Sequence, residues 1–233
     1  MIKKLINKLF YKFKFLFKNL FYYFRYYKNN NKDHWSVKEF STYDEYIEFQ
    51  KKKTLDKSRR SKWLNEEWEE KIKYFSKIFE ELFNEINFNK QSNCLCIGAR
   101  TGQEVFALKK MGYSAIGIDI VECKPLVELG DMHNLKYKDQ TFDFVFSNIL
   151  DHSLYPKKSI SEIERVLKKN GYCFLQITVG EATDMYGVTE IKSDSGIIKL
   201  FKNSEVIFTR NIKQYSIAQN WEILLKKNEK IFS

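Results

Sequence analysis

Cysteine, proline and glycine are scarce in this sequence of 233 residues, which contains four Cys, two Pro and nine Gly. Four cysteines are too few for a disulfide scaffold, and so little Gly and Pro excludes collagen-like and Pro/Gly-rich disordered chains. The sequence has no run of about 18 uncharged apolar residues, so we predict no membrane-spanning helix. Lysines interrupt every candidate signal-peptide core, so we do not expect secretion. The length fits one ordinary cytoplasmic domain with additional segments.

Three of the four cysteines fall in predicted strands. Cys94 and Cys96 are two residues apart, so their side chains face the same side of one strand, and Cys173 lies in a later strand. This spacing is neither C-x-x-C nor a zinc-binding pattern. We therefore expect buried, reduced thiols and no metal site.

The excess of positive charge is concentrated at the amino terminus. The chain carries 40 Lys and Arg against 30 Asp and Glu, which gives a net charge of +10. Residues 1–32 contribute +9, residues 33–90 contribute −1, and residues 91–233 contribute +2. The body of the protein is therefore nearly neutral, unlike a nucleic-acid-binding surface, whose affinity depends on clustered Lys and Arg.

Residues 1–32 form a basic arm in which apolar residues recur every three or four positions, the period of one helix face. We predict an amphipathic, aromatic-rich helix over residues 1–27 that lies on an anionic membrane surface, with its lysines at the headgroups. Two alternatives stay open: the apolar stripe packs on the protein itself or on a second subunit, or its aromatic side chains stack on RNA bases. The stripe consists of Ile2, Leu5, Ile6, Leu9, Phe13, Leu16, Phe17, Leu20, Phe24 and Tyr27.

Two regions follow the arm. Residues 28–34 are polar, as is typical of a linker, and residues 33–90 are predicted to be a helical extension with a helix near 41–60 and a long amphipathic helix over 61–87. From residue 94 onward, short apolar strands alternate with helices, which favours an α/β domain with a parallel sheet over residues 91–233. The predicted strands are Cys94–Ile97, Ala115–Ile120, Leu126–Leu129, Phe142–Ser147, Tyr172–Val179, Glu205–Tyr215 and Trp221–Lys226, and the predicted helices are Gln103–Met111, Ser159–Lys169 and Ser195–Phe201.

Two glycines flank the turn between the first strand of this domain and its first helix. Gly98 and Gly102 permit a ligand to approach the backbone closely, and the helix amino terminus favours an anionic group. Asp119 ends the second strand, 21 residues after Gly98, where a carboxylate can accept hydrogen bonds from both hydroxyls of a ribose. These features predict a ligand that contains adenosine. A nicotinamide fingerprint would need glycines at positions 98, 100 and 103, and position 103 is Gln.

The segment from Gly98 to Gly102 resembles motif I of the class I S-adenosylmethionine-dependent methyltransferases. Other motifs of that family follow in the same order: Gly117–Ile120, Gly130–Leu135, Thr141–Asn148 and Arg165–Tyr172. The resemblance implies a Rossmann-like, seven-stranded mixed sheet of strand order 3-2-1-4-5-7-6 with helices on both faces, preceded by the helical extension. It also implies S-adenosylmethionine as the cofactor.

The resemblance assigns roles to individual residues. Arg100 is a departure, because the family usually has its middle Gly there; the guanidinium could pair with the cofactor carboxylate, point to solvent, or weaken binding by its bulk. The other implied cofactor-binding residues are Gly98, Ala99 and Gly102 under the methionine part, Asp119 at the ribose with Ile120 against the adenine, Asp131 at the adenine amino group with Met132 beside the ring, and Ser147 and Asn148 at the methionine end.

The chemistry at the acceptor is less specified. His152, just beyond the fourth strand, is the best candidate for a general base, because imidazole titrates near neutrality; alternatively it only shapes the site. His133 is a weaker candidate. No Asn/Asp-Pro-Pro-Tyr/Phe segment follows the fourth strand and no Pro-Cys is present, which disfavours methylation of adenine, of glutamine amides and of cytosine C5.

The sequence therefore predicts a methyltransferase, associated with a membrane through its arm, that acts on a small-molecule, glycan or lipid-linked acceptor. Two other functions stay open. One is a non-catalytic relative that keeps the fold as a binding or scaffold protein. The other is an RNA methyltransferase guided by the arm, although nucleic acid is the less favoured partner.

Overall fold

The computed structural model describes residues 27–28, 35–180, 184–212 and 219–229. Tyr27, the last residue of the predicted amphipathic helix, and Lys28, the first of the predicted linker, lie in a short strand, because both pair with residues 37–38. The rest of the predicted helix lies outside the described residues, so its interpretations stay predictions. None of the helices in the described ranges is long and apolar enough to cross a membrane. The strands are β1 (Tyr27–Lys28), β2 (Trp35–Lys38), β3 (Asn93–Ile97), β4 (Ser114–Asp119), β5 (Val127–Leu129), β6 (Phe142–Ser147), β7 (Leu167–Ile177), β8 (Thr189–Ile191), β9 (Ser204–Asn211) and β10 (Trp221–Lys227). The helices are α1 (Tyr43–Leu55), α2 (Lys57–Asn65), α3 (Trp68–Glu85), α4 (Gln103–Lys110), α5 (Pro156–Val166) and α6 (Asp194–Ile198), with a 3-10 turn over Leu150–His152.

The domain is built on a seven-stranded sheet in the order β5-β4-β3-β6-β7-β10-β9. Strands β3 to β7 pair in parallel, whereas β10 is antiparallel to both β7 and β9. Numbered within the domain, this order is 3-2-1-4-5-7-6, so the predicted topology is confirmed. The predicted pair of C-terminal strands is the antiparallel hairpin of β9 and β10.

Two hydrophobic layers cover the two faces of the sheet, because successive side chains of a buried strand point in opposite directions. In β3, Leu95 and Ile97 belong to the layer that contains α5 residues, and Cys94 and Cys96 belong to the layer with α3 and α4 residues. Cys173 is also buried, and none of these thiols forms a disulfide. The expectation of buried, reduced strand cysteines is confirmed.

Helix α3 covers one face of the sheet through a ladder of aromatic rings. Phe75, Phe79 and Phe83 stack along the helix with ring centroids 6.0 and 5.9 Å apart, because residues four positions apart share one helix face. Phe79 also meets Phe144 and Phe146 of β6 edge to face, at 6.0 and 5.2 Å. Since Phe79 is completely buried, α3 contributes directly to the core of the sheet domain.

Two predicted helices have different boundaries in the structure. The predicted helix over 61–87 is divided into α2 and α3, and the two helices bury different side chains. Trp63 of α2 lines the polar cavity described below, whereas α3 packs its aromatic residues on the sheet. The predicted helix Ser159–Lys169 already ends at Val166. Residues 167–169 belong to β7, where Lys168 Nζ pairs with Asp143 Oδ2 of the neighbouring β6 at 2.9 Å.

A second, three-stranded sheet in the order β1-β2-β8 was not predicted from the sequence. Its strands pair antiparallel, with Trp35 opposite Ile191 and Lys28 opposite Val37. The segment 33–90 therefore contains a strand as well as helices. Because β2 ends five residues before α1 begins, pairing of β2 with β8 fixes where α1 enters the domain.

Candidate functional site

Two neighbouring cavities open at the carboxyl ends of β3, β4 and β6, the edge at which parallel α/β sheets bind ligands. The strand-end cavity is lined by Gly98, Asp119 and Asp131, together with apolar side chains and one face of α1. The polar cavity lies among α2, α3 and the segments that follow β3 and β6, and encloses about 220 Å³. The two cavities share four lining residues, which are Lys53, Arg100, Ile149 and His152.

The turn after β3 brings its backbone close to the strand-end cavity. Gly98 has a φ of 78°, and a Cβ atom at this position would lie 2.3 Å from Cγ1 of Ile149. Glycine is therefore required here both for backbone conformation and for space. Gly102, with a φ of 90°, caps the amino terminus of α4. It is not among the described residues that line either cavity, so it shapes the turn rather than the cavity wall.

Arg100 adopts a left-handed conformation with a φ of 45°, which explains how a non-glycine residue occupies this position. The backbone keeps the shape that glycine favours, and the side chain leaves the turn. Its guanidinium lies over the ring of Trp63, 4.9 Å from the ring centroid. Arg100 therefore lines both cavities while its bulk rests on α2.

Asp119 ends β4 with its carboxylate held by the turn. Its Oδ2 accepts a hydrogen bond from the backbone N–H of Arg100, and its Oδ1 accepts one from Val121, both at 3.1 Å. Burial raises the pKa of Asp119, opposed by these two hydrogen bonds and by the charge of Arg100. Each carboxylate oxygen receives one backbone donor, which leaves a second lone pair on each available for a ligand in the strand-end cavity.

Asp131 is the second carboxylate of the strand-end cavity. Tyr43 donates its hydroxyl to Oδ2 at 2.5 Å, and the backbone N–H of His133 donates to Oδ1 at 2.8 Å. The His133 ring also contacts Oδ1 through Nδ1 at 2.9 Å, while its Nε2 accepts from the backbone N–H of Tyr155. Partial burial would raise the pKa of Asp131, but these hydrogen bonds outweigh it and hold the pKa at about 2. Asp131 is thus an ionised acceptor at neutral pH.

His152 is buried, and both of its ring nitrogens have partners. Nδ1 lies 3.0 Å from Oε1 of Gln50 and 3.0 Å from the carbonyl oxygen of Tyr186, two acceptors that fix the proton on this nitrogen. Nε2 lies 3.1 Å from Nζ of Lys53, so its lone pair accepts from the ammonium group, which also pairs with Asp184. Burial lowers the pKa of His152; the charge of Asp151 opposes this shift and the charge of Lys53 reinforces it. The imidazole is therefore neutral, and its lone pair faces a cation.

The other predicted site residues divide between the cavities. Ile120 and Met132 line the strand-end cavity, and Ala99 and Asn148 line the polar cavity. Ser147 is completely buried and donates to the carbonyl oxygen of Ile97 at 3.3 Å, so it joins two strands and is not among the described lining residues. Among the ranges that the structure describes, no group of three His, Cys, Asp or Glu is arranged to hold a metal ion.

Helix α1 supplies a wall of the strand-end cavity that sequence reasoning did not identify. Tyr46, Gln50, Lys53 and Thr54 line this cavity, and Tyr46 donates to the carbonyl oxygen of His152 at 2.9 Å. These residues recur at spacings of three and four, so they share one helix face. That spacing was a usable signal, but the stripe is polar and resembles a solvated face.

The sequence between residues 95 and 175 matches the family model described as "Methyltransferase domain". The matched segment begins in β3 and ends in β7, and contains the turn, Asp119, Asp131 and His152. The resemblance stated from the sequence is thereby confirmed. No curated protein matches the chain in sequence.

Solved structures share the fold at low sequence identity. The 1,6-didemethyltoxoflavin-N1-methyltransferase of Burkholderia thailandensis, determined with 1,6-didemethyltoxoflavin and S-adenosylhomocysteine, superposes with a TM-score of 0.62 at 12% identity, covering 88% of this chain and 100% of that one. The [4+2]-cyclase SpnF superposes with a TM-score of 0.53 at 15% identity, and the match covers 66% of this chain and 80% of SpnF. A SAM-dependent methyltransferase from Methanosarcina mazei superposes with a TM-score of 0.50 at 19% identity, and the match covers 61% of this chain and 95% of that one. At these identities the similarity shows the fold alone.

Proposed function

Since residues 95–175 carry a methyltransferase domain of the class I fold, we propose that this protein is an S-adenosylmethionine-dependent methyltransferase acting on a small-molecule, glycan or lipid-linked acceptor. The observation that carries the proposal is the pair Asp119 and Asp131. Both carboxylates lie on one cavity at the carboxyl ends of the parallel strands, beside the tight turn at Gly98. This arrangement suits a ligand with a ribose at one position and an amino-bearing base at the next.

The residues of the strand-end cavity fit such a cofactor. Asp119 would accept hydrogen bonds from the ribose hydroxyls, and Asp131, which is ionised, would accept from the adenine amino group. Ile120 and Met132 provide apolar contact for the base, and Gly98 allows close approach of the ligand to the backbone. When bound, the cofactor would supply an electrophilic methyl group on its sulfonium.

The chain's own residues would orient the reactants and exclude water. Helix α1 covers the strand-end cavity, and the hydrogen bonds of Tyr43 to Asp131 and of Tyr46 to the His152 carbonyl join this helix to both functional segments. His152, with its lone pair toward Lys53, would hold the segment after β6 in position. Methyl transfer depends chiefly on such alignment.

The test is a calorimetric titration of the full chain with S-adenosylhomocysteine. Asp119→Ala removes two charge-assisted hydrogen bonds to the ribose, so we expect the Kd to rise by about 100-fold, equivalent to roughly 3 kcal/mol. Asp44→Ala, which removes an exposed carboxylate at the start of α1, is the matched control and should bind as the parent does. Circular dichroism checks that both variants fold. Equal affinity in Asp119→Ala and the parent would refute the proposal.

A second candidate is a protein that binds the cofactor without transferring its methyl group. The similarity to the [4+2]-cyclase SpnF and the engagement of both His152 nitrogens favour including it. The deciding measurement supplies methyl-labelled S-adenosylmethionine to the protein with a cell extract. A labelled product that depends on intact Asp119 would exclude this candidate.

We also propose that the arm over residues 1–27 attaches the cytoplasmic enzyme to an anionic membrane surface. Support comes from composition alone: nine Lys and Arg without any acid in residues 1–32, alternating with apolar and aromatic residues. In liposome flotation, the full chain should float with vesicles containing phosphatidylserine and remain unbound with neutral vesicles. Replacing Lys4, Lys8 and Lys12 by Gln should weaken flotation; binding of RNA instead of vesicles would favour the alternative.

A further inference from the structure

Two polar side chains after β6 are buried at the polar cavity without hydrogen-bond partners. Asn148 is 7% exposed and Asp151 is 5% exposed, and both line the cavity. Among the described residues, neither side chain makes a hydrogen bond. The Nε2 atom of His152 lies 3.8 Å from Oδ2 of Asp151, beyond hydrogen-bonding distance, and accepts from Lys53 instead. Among the other carboxylates of this cavity, Asp184 pairs with Lys53 and Glu67 pairs with Lys62. Glu104, in the first turn of α4, lies beside its own backbone N–H, and burial raises its pKa to about 7.

Buried polar groups are nearly always satisfied, and a carboxylate that lacks partners inside a protein is costly. A ligand group that donates hydrogen bonds would satisfy the carboxylate of Asp151, which offers only acceptors. The amide of Asn148 has both a carbonyl oxygen and N–H donors, so it can pair with a ligand group that donates and accepts. The matching ligand group is a hydroxyl or an amine. The side chains of Asp151 and Asn148 thus favour a ligand with O–H or N–H hydrogens.

The remaining walls of the polar cavity define the rest of the ligand. Trp63, Tyr74 and Phe75 provide aromatic surface. The Tyr74 hydroxyl accepts a hydrogen bond from Nε2 of Gln176 at 2.6 Å, so its own proton is available to an acceptor group in the cavity. A volume of about 220 Å³ admits a compact polar molecule or one end of a larger one.

Resting on the proposed function, we propose that the polar cavity is the methyl-acceptor site and that Asp151 is the general base, with Asn148 orienting the same acceptor group. The acceptor is a molecule whose reacting atom carries O–H or N–H. As that atom forms its bond to the methyl carbon, the carbon–sulfur bond breaks and its electron pair stays on sulfur. The proton goes to the carboxylate of Asp151, so the positive charge of the sulfonium and the negative charge of the carboxylate disappear together.

The role of general base, which the sequence predicted for His152, is thereby assigned to Asp151. The lone pair of His152 Nε2 is directed at an ammonium group, whereas neither carboxylate oxygen of Asp151 has a hydrogen bond to the described part of the chain. His152 is then a positioning residue, held by Gln50 and Tyr186.

The experiment uses the full chain and simple probes, because the acceptor is unidentified. Ethanolamine and catechol present O–H or N–H donors, and acetate, which has none at pH 8, is the negative probe. Binding is followed by ligand-detected NMR with and without S-adenosylhomocysteine. We expect the donor probes to bind the parent and Glu69→Gln, a control that alters an exposed carboxylate outside the cavity, and to bind Asp151→Asn at least 10-fold more weakly. Acetate should bind none of them.

Two further readouts separate a ligand site from a structural role. Asp151→Asn should keep its Kd for S-adenosylhomocysteine within 2-fold of the parent. Its unfolding temperature should not fall, because Asn keeps the volume of the side chain and no hydrogen bond to a described residue is lost. Equal donor binding in Asp151→Asn, binding of acetate, or absence of donor binding to the parent would each overturn the assignment. Failure of the parent to bind S-adenosylhomocysteine would instead refute the proposed function on which the assignment rests.

Discussion

Glu104 gives the stability of this protein a pH dependence that can be worked out from its surroundings. It lies in the first turn of α4 and lines the polar cavity with only 5% of its surface exposed. Burial raises its pKa from an ordinary 4.5 to about 7, although its own backbone N–H and the charge of Arg100 oppose the rise. Desolvation therefore outweighs the favourable helix terminus.

The direction in which stability changes with pH follows from how many protons the folded and unfolded states bind. Between pH 4.5 and about 7 the folded state holds the Glu104 proton while the unfolded state releases it, so the free energy of unfolding falls as the pH rises. At about 1.4 kcal/mol per pH unit, this interval corresponds to a loss of about 3 kcal/mol, complete above pH 7. Glu104→Gln keeps the volume and cannot ionise, so it should avoid this loss.

The assay is urea denaturation at pH 5, 6, 7 and 8 on the parent, Glu104→Gln and Glu69→Gln. Glu69 is the matched control, an exposed glutamate in the first turn of α3. We expect Glu104→Gln to match the parent within about 1 kcal/mol at pH 5 and to exceed it by about 2–3 kcal/mol at pH 8. The control should follow the parent throughout. A stability difference between Glu104→Gln and the parent that does not change with pH would refute the reasoning.

Two further predictions concern the walls of the strand-end cavity. Because Arg100 is left-handed, Arg100→Gly should be about 1 kcal/mol more stable to urea than Arg100→Ala, the reverse of their order in a helix; an Ala variant of equal or higher stability would contradict the backbone argument. Tyr43→Phe removes one hydrogen-bond donor from Asp131. Because the pKa of Asp131 is lowered in the folded state, its carboxylate stabilises the fold above the unfolded pKa of about 4, and this stabilisation is lost as the pH falls through about 2. In Tyr43→Phe the Asp131 pKa measured by NMR should therefore rise, and the free energy of unfolding at pH 7 should fall by about 1 kcal/mol. The Kd of this variant for S-adenosylhomocysteine should increase by about 5-fold. An unchanged Asp131 pKa would show that the Tyr43 hydroxyl does not hold this carboxylate.

The local sequence determined the parts of the fold that depend on neighbours along the chain. Gly98 was recognisable because a left-handed turn after a buried strand requires glycine, and Asp119 because it ends the next strand at a fixed distance. The alternation of short apolar strands and helices indicated the parallel sheet, and the resemblance to the methyltransferase family implied its strand order. The placement of the Arg100 side chain could not be predicted from the sequence, because its left-handed backbone and its position over Trp63 arise only when α2 packs beside the turn.

Only the tertiary structure decided which side chains surround the reactive edge. The hydrogen bonds of Tyr43 to Asp131 and of Gln50 to His152 join residues 88 and 102 positions apart, so no periodicity could reveal them. Helix α1 docks with a polar stripe, which in the sequence is indistinguishable from a solvated surface. The same docking directs Lys53 at the lone pair of His152 and leaves the Asp151 carboxylate without a hydrogen bond to any described residue. The sequence by itself thus determined the fold and led to the proposal that Asp119 and Asp131 hold the cofactor. The choice between His152 and Asp151 as the proposed base depends on contacts that exist only once α1 has packed.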